Sequence, residues 1–306
     1  MVNRHFVTSV YVSPAFDVGP AQSDLSLTRK VRTENLMPHF ICRTCGAEYA
    51  ESPQPPAECR ICTDERQYVG WDGQTWTTHA ELSASHQNIV KLEELGLYSI
   101  GIEPSFAIGQ RAFLITHPAG NVLWDCIPLL DEKLVEMIKG IGGISAIAIS
   151  HPHYYTGMAE WSRVFDCPIH LHAADRQWVT RPNAQTEFWD GEVKVLENGL
   201  TLIRCGGHFD GGAVLHWAAG ANGKGAILSG DILQVVQDRR WLSFMYSYPN
   251  FIPLPVSAIN RIVAAVEPFE YDRIYGAFPG KVVPTDAKQA VKLSAERYIQ
   301  ALKEPD

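Results

Sequence analysis

Ser150-His151-Pro152-His153-Tyr154-Tyr155-Thr156-Gly157 follows directly on Ile144 to Ile149, which reads Ile-Ser-Ala-Ile-Ala-Ile. A run so short and so apolar reads as a strand covered on both faces, so the two histidines stand in a loop at a strand end. At i and i+2 on an extended segment, two imidazoles point the same way and meet one metal ion without bending the backbone. The stretch predicts a metal site at the end of a buried strand.

Landmarks continue outward on both sides. Upstream lies Asn121-Val122-Leu123-Trp124-Asp125; downstream lie Gly206-Gly207-His208-Phe209-Asp210-Gly211-Gly212 and Ser229-Gly230-Asp231. With these in order over roughly residues 95 to 280, the chain resembles the metallo-β-lactamase-fold hydrolases, whose signature is HxHxDH at such a strand end. The resemblance implies an α+β fold, an αββα sandwich, with His208 as third histidine and Asp231 as the metal-bridging carboxylate. The chain also departs from the pattern. Tyr155 and Thr156 stand where the family has the Asp and His of a second metal, and Phe278 stands where a late histidine is usual. What remains is His151, His153 and His208 with Asp231, a set that suits a single zinc ion with an open or carboxylate-filled fourth position.

At 306 residues with 46% hydrophobic content, the chain can bury a full core and still carry one small extra module. The formal net charge of −8, without a long basic run, argues against nucleic acid or an anionic membrane as partner and favours a small-molecule substrate. No stretch approaches the roughly 20 apolar residues of a membrane span. No apolar run follows Arg4 and His5 as in a secretory leader. The expected location is cytoplasmic.

Three regions are expected: an N-terminal extension over 1–36, a small module over 37–78, and the hydrolase domain over 79–306. Residues 1–36 are polar and aperiodic, either a later extension ahead of Met37 or a strap packed on the core. The module carries Cys42-x2-Cys45, thirteen residues, then Cys59-x2-Cys62, a spacing that brings four thiolates onto one tetrahedral metal. Cys42-Arg43-Thr44-Cys45-Gly46 followed by Tyr49 resembles the first knuckle of rubredoxin-like domains and zinc ribbons. Zinc is the expected metal and iron the exception; two disulfides are the alternative. So small a ribbon relies on its metal to fold. Beyond a structural role it could cap the hydrolase domain or make a homodimer contact through Tyr68, Trp71 and Trp76, but packing of these aromatics between ribbon and main domain is the preferred reading. Glu81 to Leu95 has helix-like spacing and would link the modules.

Within the main domain, Arg111 to Thr116 and Asn121 to Cys126 read as a hairpin, and Asp131 to Lys139 as an amphipathic helix ending at Gly140. His170 and His172 repeat the i, i+2 pattern but suit structural or pocket-lining roles better than ligation. His117 reads as a turn residue and His216 as a sheet histidine. Cys126, Cys167 and Cys205 read as buried apolar residues. The aromatic segment Gln234 to Pro255 leaves from the Asp231 turn and is expected to wall a pocket, with Arg239 and Arg240 meeting a substrate carboxylate; a packed loop or dimer contact is the equal alternative.

The chemistry expected is zinc-assisted hydrolysis of a carbonyl substrate such as an ester, lactone, thioester or amide. Asp231 would ligate the metal or take a proton, and Tyr154 or Tyr155 would donate to an oxyanion. The alternatives are a mononuclear iron oxidoreductase resembling the persulfide dioxygenases of the same fold, with iron in the ribbon, and a degenerate non-catalytic scaffold. An RNA-processing role is disfavoured by the acidic balance.

Overall fold

The computed structural model describes residues 37–303; the expected extension over 1–36 lies outside the described residues. The chain opens with a small antiparallel pair, β1 (Phe40–Cys42) and β2 (Trp76–Thr78), which frames the cysteine knuckles. A short helix α1 (His79–Ser83) follows. Thr78 caps it by accepting from the Glu81 N–H while the Glu81 carboxylate accepts from the Thr78 N–H.

Seven strands then form one sheet in sequence order: β3 (Gln87–Glu94), β4 (Leu97–Glu103), β5 (Ala112–Ile115), β6 (Val122–Trp124), β7 (Ala146–Ala148), β8 (Ile169–His172) and β9 (Thr186–Trp189). Pairing is antiparallel from β3 to β6 and parallel from β6 to β9. The second sheet holds β10 (Val193–Val195), β11 (Thr201–Arg204), β12 (Ala213–Trp217) and β13 (Ala226–Leu228), with β18 (Arg273–Tyr275) and β19 (Val282–Val283) beyond. Between β13 and β18 run the short pairs β14 (Gln234–Val235) with β15 (Leu242–Ser243), and β16 (Met245–Ser247) with β17 (Ile252–Pro253).

Strand alternation explains the layers, because successive side chains face opposite sides of a sheet. Phe113, Ile115, Val122 and Trp124 turn inward to meet Leu202, Leu215, Leu228 and Tyr275 of the other sheet in one apolar cluster. Their neighbours Leu114, Leu123 and Ile147 turn outward onto helices α2 (Glu132–Gly140) and α3 (Met158–Phe165), through Leu134, Ile138 and Trp161. Across the molecule Ile203, Val214, Ile227 and Ile274 turn outward onto α5 (Val256–Val266) and α6 (Ala287–Leu302), the helical turn α4 (Gly220–Gly223) lying between β12 and β13. The result is helices, sheet, sheet, helices: the expected αββα sandwich. No described helix is long and apolar enough to cross a membrane.

One expected element is corrected. The helix over Glu81 to Leu95 is confined to α1, and residues 87–94 are strand β3. Pairing along almost all of β4 outweighs the helical spacing of its apolar residues, most of which stay exposed on this edge strand.

Candidate metal centre and its cavity

The candidate ligands all lie just beyond strand ends. β7 runs out through Ile149 and Ser150 to His151, which is extended at φ −169°. Pro152–Tyr154 then forms a 3-10 turn, so His153 does not follow on an extended strand as expected. The turn, not the i, i+2 alternation, brings His153 to His151, with ring centroids 5.0 Å apart. His208 comes from the β11–β12 loop and lies 5.0 Å from each of the other two rings. Asp231 follows β13 through Gly230, where φ is +50° and an added Cβ would sit 2.5 Å from Ser150 Oγ; only glycine lets these two loops pack so closely. Gly207, at φ +88°, does the same beside His208, where a Cβ would press on Ile262 and Leu254.

Hydrogen bonds orient these side chains. His208 Nδ1 donates to the Tyr246 carbonyl at 2.8 Å, which leaves Nε2 free, 3.3 Å from His153 Nδ1. His151 Nδ1 pairs with Ser150 Oγ at 2.8 Å, leaving Nε2 3.6 Å from Asp231 Oδ2. One ligand atom from each of His151, His153, His208 and Asp231 lies within 4.8 Å of the others, and all four residues are buried. Three buried atoms here, His151 Nε2, His153 Nε2 and Asp231 Oδ1, have no hydrogen-bond partner among the described residues. Burial holds His208 down at about 3 and His153 well below the usual range, so both stand as neutral imidazoles, the form that binds metal. Orphaned acceptors, neutral imidazoles and one carboxylate facing inward fit a divalent cation.

Two further acids stand behind the ligands. Asp125, at the end of β6, accepts the Ser150 N–H at 2.8 Å and is pushed up to about 7 by burial. Asp175 accepts the Gly211 N–H at 3.0 Å, and burial pushes it up to about 6. Asp175 carries no motif in the sequence; only the fold brings it under the His208 loop.

A cavity of about 130 Å³ opens on His153, His208 and Asp231. Tyr248 and Pro249 of the aromatic segment line it, and so does Phe278, where a late histidine would have stood. Arg239 and Arg240 do not reach it; Arg240 is exposed and pairs with Asp238 at 2.7 Å, because the β14–β15 turn carries both outward. The guanidinium at the cavity is Arg66, which comes with Gln67 and Tyr68 from the cysteine module. Asp64 holds Arg66 at Nε and Nη2, at 2.6 and 2.9 Å, and its plane lies 4.0 Å over the Phe209 ring. Tyr154 and Tyr155 are buried and do not line the cavity; Tyr155 packs in the outer cluster beneath α3, while the Tyr154 hydroxyl lacks a partner among the described residues.

Cys42, Cys45, Cys59 and Cys62 form a second buried set with free thiols, the 42–62 and 45–59 sulfur pairs each 3.6 Å apart. A hydrogen bond from Cys45 holds the Cys42 thiol below its usual range and pushes Cys45 up. Gln74 Nε2 and the Tyr49 hydroxyl donate to Cys42 and Cys59 at 3.2 and 3.5 Å, as donors around a thiolate-bound metal would. The module is fastened to the rim of the sandwich. The Thr156 hydroxyl donates to the Gly46 carbonyl, Asn250 Nδ2 donates to the Glu65 and Gln67 carbonyls at 3.0 Å each, and Tyr246 donates to Glu65 at 2.6 Å.

Four further histidines stand away from the ligand cluster and bond within the fold. His170 faces Glu187 at 3.2 Å, His172 spans Gly191 and Ala174, His216 bonds the Glu270 carbonyl, and His117 accepts from Ala119 within its turn. Cys126, Cys167 and Cys205 are buried, and burial raises all three thiols.

Solved structures of the metallo-β-lactamase fold share this arrangement of layers. The VMB-1 crystal structure aligns over 71% of this chain and 99% of its own at TM-score 0.54 and 12% identity. TMB-1 aligns over 69% and 97% at TM-score 0.52 and 14% identity. No protein-family model matches the sequence. The uncharacterized protein YmaE of Bacillus subtilis (strain 168) is 54% identical over 268 residues, which cover 87% of this chain and 97% of YmaE. The chain therefore belongs to the family of YmaE and carries the metallo-β-lactamase fold with an added four-cysteine module.

Proposed function

We propose that this protein is a zinc-dependent hydrolase that uses one metal ion, held by His151, His153, His208 and Asp231, to direct water at a carbonyl carbon. The observation that carries the reading is the convergence of one ligand atom from each of four buried residues within 4.8 Å, beside an open cavity lined by three of them. When bound, the metal supplies Lewis acidity, which lowers the pKa of water toward about 7 and polarises a carbonyl. The chain does the rest. Asp231 Oδ1 is buried without a partner and is placed to hold the proton of the attacking water. The Tyr246 carbonyl fixes His208 in the tautomer that presents Nε2. Tyr248 donates to the Asp231 backbone carbonyl at 2.8 Å and so steadies the carboxylate's loop. Phe278, Tyr155 and Thr156 replace the usual second-site ligands, which favours a mononuclear site and carbonyl substrates over phosphodiesters.

The test is metal content per chain together with turnover of activated esters and lactones. Two zinc ions, with one retained and turnover abolished in His153→Ala, are expected. Undiminished turnover in that variant would refute the site. Iron in place of zinc, with thiolate-to-metal absorption, would replace this reading with the iron oxidoreductase.

A further inference from the structure

The inner cavity is smaller than most ligand pockets. Its volume of about 130 Å³ is room for about four waters at about 30 Å³ each, below the usual range of about 300–1,000 Å³ for ligand pockets. The cavity does not end there. Tyr68 and Pro249 also line an outer groove of about 590 Å³, completed by Val69, Trp71 and Asn250. Trp71 is fully exposed, and Phe251 beside the groove is 83% exposed. An open aromatic face continuous with a metal cavity is the place for the part of a substrate that the cavity cannot hold.

The polar features are as specific. Gln67 lines the inner cavity together with His153, His208 and Asp231 at 6% exposure, and its Oε1 is buried with no partner among the described residues. A buried amide oxygen without a donor is costly unless a ligand supplies one. Among the described residues no free cation faces either space: Asp64 occupies Arg66, and the groove residues are all uncharged. Asn250 spends its amide on the Glu65 and Gln67 carbonyls, holding the 65–67 backbone against the rim.

We propose that residues 67–71 of the cysteine module form the substrate-recognition face of the metal site. Gln67 accepts a hydrogen bond from an uncharged N–H or O–H on the substrate head, and the Tyr68–Trp71 groove carries an apolar tail. The inference rests on the hydrolytic reading only for what happens to the bound substrate; the binding itself is independent of it.

The experiment therefore reads binding and turnover separately on the metal-loaded protein. Titration with octanamide, followed by tryptophan fluorescence and calorimetry, is compared with acetamide and with N,N-dimethyloctanamide, which lacks the N–H. Octanamide binds about 100-fold more tightly than acetamide, and Trp71→Ala removes most of that gain. The dimethyl amide binds about tenfold more weakly than octanamide in the native protein and equally in Gln67→Leu. Leu95→Ser, at an exposed apolar residue in the β3–β4 turn, leaves the chain-length preference intact. In parallel, 4-nitrophenyl octanoate exceeds the acetate in kcat/KM. Equal binding of octanamide and acetamide, or a preference that survives Trp71→Ala, overturns the proposal. So does a dimer that Trp71→Ala dissolves, which would give this face to a second copy of the chain. Tail-dependent binding without turnover of any ester supports the recognition face and refutes the hydrolase; turnover indifferent to chain length does the reverse.

Discussion

Asp175 shows how a single buried carboxyl is expected to reveal itself. Its folded-state value of about 6 lies above the ordinary carboxyl value of about 3.9. The folded protein therefore holds the proton more tightly than the unfolded chain, and this stabilisation, complete below about pH 4, is lost as pH rises through 6. Asn keeps the acceptor for Gly211 and never ionises. In the metal-free protein, Asp175→Asn should gain stability over the native chain as pH rises from 4 to 7, reaching about 2 kcal/mol, as read by chemical denaturation. A difference independent of pH would mean that Asp175 is ionised throughout. At the metal, Asp231→Asn should lower kcat on the order of 10³-fold with a smaller change in metal content, since the three imidazoles remain. His151, His153, His208 and Asp231 were legible in the sequence because each sits beside a short motif at a strand end. Gln67 and Arg66 were not, since they reach the site from across more than 80 residues of chain and carry no pattern of their own. The misplaced Arg239 and Arg240 teach the same lesson: adjacency to Asp231 in sequence says nothing of which way a turn carries a side chain.

Among elements, the sandwich strands announced themselves through short apolar runs, because a strand covered on both faces leaves little room for polar residues. β3 did not, since an exposed edge strand needs no alternation, and its helix-like spacing had no packing consequence to check it. The 3-10 turn at Pro152–Tyr154 was hidden too, as an extended segment and a tight turn both suit the same three residues. The join between module and sandwich is where an element-scale prediction belongs. Thr156 is buried, and its hydroxyl bonds the Gly46 carbonyl in the first knuckle. Thr156→Val keeps the shape and strands that carbonyl, so it should cost about 1–3 kcal/mol and loosen the module, with faster hydrogen exchange over residues 42–46 than over β5 and β6. Uniform exchange would show that the other ties to the rim suffice.

For the whole molecule, the described residues share one compact unit, with module and sandwich in contact through the cavity wall. A ribbon of this size draws on the order of 10 kcal/mol of folding energy from its metal. Stripping both metals should therefore lower the melting temperature of the whole chain in a single transition, followed by calorimetry. Two separate transitions would show that the sandwich stands without its module. Cys42→Ser, which replaces one sulfur, the acceptor for Gln74, by a hydroxyl, should lower ester turnover although it touches no residue of the histidine site.

The position of the cysteines in the chain also sets an order of events during synthesis. Ribosomes add about 5–20 residues per second, so the knuckle ending at Cys62 leaves the ribosome roughly 7 to 30 seconds before His208 does. The four cysteines are thus complete as a set while the histidine set still lacks His208. On the proposed reading, the module would take its ion by arriving early as well as by chemistry, before the histidine set is complete.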